Sequence, residues 1–140
     1  MSRNLRLVAI VDDEPDITIL FKDALNNISN ISIFTFTDPI MALEHFTVNK
    51  DDYALIVSDL RMPGHDGMGL LKRVKSINRY TRTILMTAFD IDDAMFKDYS
   101  KMQIINGFLQ KPIPLKDLRA KVNEELHLYE LGIQKSIVAK

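Results

Sequence analysis

Cysteine is absent from the 140-residue chain, which excludes a disulfide scaffold and thiolate chemistry and fits a reducing compartment. Surplus charge is missing too. Eighteen Lys and Arg stand against nineteen Asp and Glu, a net charge of −1, so no global positive field draws the chain to nucleic acid or an anionic membrane. No apolar run approaches the length of a membrane span. The amino end, MSRNLRLVAIVDDEPD, turns acidic where a signal peptide would stay apolar. Glycine and proline number five each, with no repeat or low-complexity stretch. What remains is globular composition at the length of one domain, and the expectation is a soluble cytoplasmic protein.

What is present is an alternation. Leu5 to Val11 is a nearly continuous apolar run of strand length, as in a parallel strand covered on both faces. It ends on Asp12 and Asp13. The next segment, PDITILFKDALNN, places Ile17, Leu20, Phe21, Ala24 and Leu25 at helical spacing, with Pro15 suited to the first turn. Strand patterns recur at 31 to 36, 53 to 58, 82 to 87 and within 104 to 109. Helical patterns recur at 38 to 46, where Asp38 caps and Pro39 follows, at 67 to 77, near 91 to 101, and at 114 to 131. This alternation predicts an α/β fold: a doubly wound, five-stranded parallel sheet with five helices on its two faces. The ligand site of such a sheet lies beyond the carboxyl ends of its strands.

Polar residues collect at those ends: Asp12 and Asp13 after the first strand, Asp59 after the third, Thr87 after the fourth and Lys111 after the fifth. Three carboxylates brought together repel one another, which raises pKa values and calls for a cation, and hard oxygen ligands suit Mg²⁺. A carboxylate beside Mg²⁺ can attack a phosphoryl group, while a lysine ammonium neutralises the oxygens of the transition state. The Thr87 hydroxyl can bond a phosphoryl oxygen, and Ala88 is small enough to leave room for it.

The pieces VDDEPD, SDLRMPGHDG, MTA and FLQKP stand in that order at strand ends, and with them the chain resembles a receiver domain of the two-component response regulators. It is similar in extent to the single-domain chemotaxis type. The resemblance implies a flavodoxin-like sheet of strand order 2-1-3-4-5, with the receiver domain over 1 to 131 and a tail, or an extension of the last helix, over 132 to 140. It implies a regulatory switch rather than an enzyme acting on a separate substrate. Asp59 would accept a phosphoryl group from a histidine kinase or phosphotransfer protein and catalyse its own transfer. Asp13, Asp59 and the main-chain carbonyl of Arg61 would hold Mg²⁺ directly, with Asp12 acting through water. Lys111 would pair with the phosphoryl group, Thr87 would be drawn toward it, and Phe108 would stand at the place of a rotating aromatic. The Lys111-Pro112 peptide would be cis.

In that family the surface of the fourth helix, fifth strand and fifth helix is the usual output face. A phosphorylated chain would there meet a downstream protein. Between Thr87 and Lys111 this chain is slightly longer than the family pattern and lacks a small Gly-Ala pair before the fifth strand, so the departure falls on that face. Phosphoryl lifetime would depend partly on Arg61 and Phe89. His45, His65 and His127 show no metal-ligand spacing and read as solvated or partly packed. The apolar tail residues Ile133, Ile137 and Val138 leave open a frayed end, a homodimer or partner contact, or a linker stub.

Two other functions fit less well. A degenerate receiver could act as a constitutive protein-binding module. A Mg²⁺-dependent aspartyl phosphohydrolase would resemble a D-x-D pattern, but Arg61 occupies the place of its second acid, and no insertion is long enough for a cap.

Overall fold

The structure, a computed structural model, describes residues 5–88, 97–98 and 103–138. Its sheet contains β1 (Arg6–Val11), β2 (Ile31–Phe36), β3 (Tyr53–Asp59), β4 (Arg82–Thr87) and β5 (Gly107–Gln110). The strands lie in the order β2-β1-β3-β4-β5. Every neighbouring pair is parallel. This is the expected doubly wound order, and β3 gains one residue over its expected span because Asp59 itself pairs with Met86. Four helices stand among the described residues: α1 (Pro15–Leu25), α2 (Pro39–Val48), α3 (Gly67–Ile77) and the C-terminal helix (Leu115–Val138). The helix expected near 91 to 101 lies, apart from Lys97 and Asp98, outside the described residues, as does Phe89. No helix among the described residues is long and apolar enough to cross a membrane.

Pattern and capping explain these elements. All seven residues of β3 are buried, as an apolar run at the sheet centre requires. The edge strand β2 is half-buried along its whole length. Helix α2 starts where expected: the Asp38 side chain accepts from the Ile40 N–H, and Pro39 follows at the first helical position. Asp66 caps α3 in the same way through the Met68 N–H.

Each sheet face carries its own core. One cluster joins Val11, Phe46, Tyr53, Ile56, Leu71 and Leu85 under α2 and α3. The other joins Val8, Phe21, Leu25, Val57, Ile84 and Val122 under α1 and the C-terminal helix. The two-sided burial fixes the sheet in place. It leaves the carboxyl ends of β1, β3, β4 and β5 to form one edge of the layer.

Candidate functional site

The carboxyl edge is assembled by chain breaks that follow each strand. β1 stops at Val11 because the Asp12 side chain turns to bond the backbone: its Oδ1 accepts from the Glu14 N–H at 2.9 Å. β3 continues through Asp59, and the Leu60 N–H donates to the Met86 carbonyl at 2.8 Å. A two-residue antiparallel ribbon then pairs Arg61 with Asp66 and Met62 with His65. Pro63 and Gly64 close it, with Gly64 at φ +73°, where a side chain would be strained. Gly67 opens α3 under a close constraint: a Cβ there would collide with the Asp59 carbonyl, while the Gly67 N–H bonds the Leu60 carbonyl at 2.8 Å.

Carboxylate oxygens of Asp12, Asp13 and Asp59 lie within 4.8 Å of one another. Lys111 reaches into this group from the end of β5. Its Nζ stands 3.1 Å from Asp59 Oδ2 and 3.2 Å from Asp12 Oδ2. Its own N–H donates to the Thr87 carbonyl at 2.7 Å, and the Lys111-Pro112 peptide is cis. Asp59, Leu60, Arg61, Thr87, Ala88 and Lys111 line a cavity of about 190 Å³ beside the acids. The acceptor candidate, the hydroxyl, the small residue and the ammonium therefore meet around one space.

Burial is the main reason the Asp59 carboxyl rises above its ordinary value; Lys111 opposes the rise, and the charges of Asp12 and Asp13 add to it. Mutual repulsion, the cause expected from sequence, is thus the lesser one. For Lys111, burial pulls downward, but attraction to Asp12 and then to Asp59 outweighs it and the net movement is upward. Asp12 is fully buried and Asp59 is 8% exposed. Among the described residues the ammonium of Lys111 pairs with two of the three carboxylates, Asp59 and Asp12, so the acids outnumber it in a poorly solvated crevice. That donor set, all hard oxygens, fits a small divalent cation.

Phe108 stands apart from this space. It is partly buried and packs on the core cluster that includes Ile56, Leu85 and Ile105 and does not line the cavity beside the acids. Of the histidines, His45 is the most engaged: its ring lies 4.4 Å from that of Phe34, and Nδ1 is 2.7 Å from the Tyr53 hydroxyl. Ser58 drew no notice in the sequence, yet its buried hydroxyl donates to the Asp59 carbonyl at 3.0 Å. A serine just before the acid in a buried run is the only signal that could have marked it.

Comparison with known proteins bears directly on this arrangement. Residues 8–123 match the family model described as response regulator receiver domain. Sporulation initiation phosphotransferase F of Bacillus subtilis is 31% identical over 121 residues, which are 86% of this chain and 94% of that protein. The DNA-binding transcriptional regulator NtrC of Klebsiella pneumoniae is also 31% identical, but the matched part is only 25% of its length. Among solved structures, a response regulator receiver domain protein from Clostridium thermocellum superposes with a TM-score of 0.77 at 25% identity, covering 91% of this chain and 98% of that one. An uncharacterized protein from Neptuniibacter caesariensis gives 0.80 at 28% identity, covering 92% and 93%.

Proposed function

Because the chain belongs to the response regulator receiver domain family and has its phosphoacceptor signalling role, we propose that Asp59 is the residue that accepts the phosphoryl group. The observation that carries this reading is Lys111 Nζ, held between Asp59 and Asp12 beside the cavity that Thr87 and Ala88 also line.

The chemistry follows from the residues present. Asp59, poorly solvated in its crevice, attacks phosphorus with one carboxylate oxygen; the new O–P bond forms as the bond to the donor breaks, and the leaving group takes its electron pair. Lys111 neutralises charge on the phosphoryl oxygens, and its upward-shifted pKa keeps it protonated for that task. Thr87 donates its hydroxyl to one of these oxygens, and Ala88 leaves the approach open. Asp13, Asp59 and the Arg61 carbonyl would hold Mg²⁺, with Asp12 behind them, and the ion would supply charge stabilisation to the transferring group. The donor in this reading is a histidine kinase or a phosphotransfer protein, and the setting is the cytoplasm.

Once formed, the phosphoryl group competes with Asp12 for Lys111 and draws Thr87 from the end of β4. Thr87 ends β4 and Lys111 directly follows β5, the strand of the proposed output face, so their displacement changes its affinity for a downstream protein. The test is intact mass after incubation with acetyl phosphate, with and without Mg²⁺, beside Asp59→Asn. A single Mg²⁺-dependent phosphoryl adduct that disappears in the variant is expected. An unmodified wild-type protein, with acetyl phosphate or with phosphorylated kinase, would overturn the assignment and leave a constitutive binding module.

A further inference from the structure

The C-terminal helix is longer than the domain needs. At 24 residues it spans about 36 Å, and the family match ends at residue 123, well before its end. Leu118, Val122, Glu125 and Tyr129 are its buried residues, an inward stripe that stops at Tyr129. None of residues 130–138 is buried. The last turns therefore gain no core from their own domain, and Gly132 within them costs about 1 kcal/mol relative to alanine.

A second stripe runs along the same helix, about 120° around from the first at helical periodicity. It comprises Lys121, Glu124, Leu128, Leu131, Lys135 and Val138, spaced alternately three and four residues apart, the repeat of a coiled-coil seam. Leu128, Leu131 and Val138 are exposed at 36%, 40% and 85%. Leu131, Gln134, Lys135 and Val138 line a surface recess of about 400 Å³. These are positions i, i+3, i+4 and i+7, the four-residue hole that receives a knob from a facing helix.

The charges choose the direction. In a parallel pair Lys135 would face Lys135 of the second copy, and Glu124 would face Glu124. In an antiparallel pair with its two-fold axis between Tyr129 and Glu130, Leu128 meets Leu131 of the second copy, and Glu124 enters the hole beside Lys135 of the second copy. The same contacts recur on the other side of the axis, as an isologous interface demands. We propose that this stripe pairs antiparallel with the same stripe of a second copy of the chain. The interface is short, so the association is weak and concentration-dependent.

Sedimentation equilibrium of the whole chain, from micromolar to high micromolar concentration, reads the association directly. A monomer–dimer equilibrium is expected. Lys135→Glu should weaken it at least about tenfold by placing two carboxylates together, and Glu124→Lys added to it should restore the wild-type constant. Both positions are exposed, and helical circular dichroism verifies folding of each variant. A monomer at every concentration would overturn the proposal, as would a dimer indifferent to Lys135→Glu or a double variant that stays weak. The measurement uses unphosphorylated protein, so its outcome is independent of the Asp59 assignment.

Discussion

The two ends of β4 and β5 hold similar groups in opposite states. At the amino end, Lys75 Nζ donates to Asn106 Oδ1 at 2.7 Å, to the Thr81 carbonyl at 2.8 Å and to the Arg79 carbonyl at 3.3 Å. Arg82 Nε lies 2.6 Å from Oε1 of Glu125, which is 2% exposed. Burial first, then the charge of Arg82, lowers Lys75 to about 8. Every ammonium proton there has an oxygen, and the buried carboxylate has a guanidinium. At the carboxyl end one ammonium is shared by Asp12 and Asp59, with Asp13 beside them. Groups with all their hydrogen bonds made staple α3, β4, β5 and the C-terminal helix together; the acids that share one ammonium hold the reactive potential. Ion pairing as such does not mark a functional site, but like charges crowded around one counter-ion beside a cavity do.

The comparison breaks most visibly at the amino end. Arg82→Met strands Glu125 in the interior and should cost about 3–5 kcal/mol in urea unfolding at neutral pH. Adding Glu125→Gln should recover much of that loss. In the folded protein the phosphoryl adduct should still form. Loss of the adduct in folded Arg82→Met would mean that the two ends do not divide structure from chemistry.

A smaller effect of opposite sign is expected from Asp59→Asn, which should stabilise the protein at pH 7 by about 1 kcal/mol by removing a poorly solvated charge. Because burial raises the Asp59 pKa in the fold, the folded state takes up a proton before the unfolded chain does. Asp59 therefore contributes stability below its unfolded value, and that contribution is lost as pH rises through the folded one. The advantage of the variant should shrink as pH falls through this window, as read from urea midpoints. A destabilised variant at neutral pH would show that Lys111 more than offsets burial.

The smallest change sharpens the contrast among acids of the same edge. Asp66 bonds the Met68 N–H as the cap of α3, so Asp66→Ala should cost about 1 kcal/mol in thermal or urea unfolding while adduct yield stays unchanged. A fall in adduct yield would place Asp66 with the reactive acids.

Much of the carboxyl edge was legible because a run such as YALIVSD states both the strand and the residue at its end. The topology then brings four such ends together, and Asp12, Asp13, Asp59, Thr87 and Lys111 need no long-range knowledge beyond strand order. The amino-end network was not legible. Its members, Lys75, Arg82, Asn106 and Glu125, come from four segments, none with a recognisable spacing. Glu124 and Glu125 look alike in sequence, yet the first is an exposed partner of Lys121 and the second is buried. Helical phase could have told them apart, since Glu125 follows Leu118 and Val122 on the inward stripe and precedes Tyr129. Phe108, which the resemblance puts at the place of a rotating aromatic, packs partly buried against the core cluster of Ile56 and Leu85.

The collision that a Cβ at Gly67 would make with the Asp59 carbonyl has a consequence for how this chain can vary. Position 67 carries no side chain and does not line the cavity beside the acids, so a survey of side-chain contacts would class it as free to change. Its backbone nonetheless sits where any other residue would push the acceptor's own peptide out of line. In a library randomised at residues 60 to 70 and selected for phosphoryl uptake, glycine should be retained at 67 as strictly as aspartate at 59. Residues such as His65 and Gly69 should drift, because a hereditary constraint on chemistry can lie in the absence of an atom as well as in the presence of one.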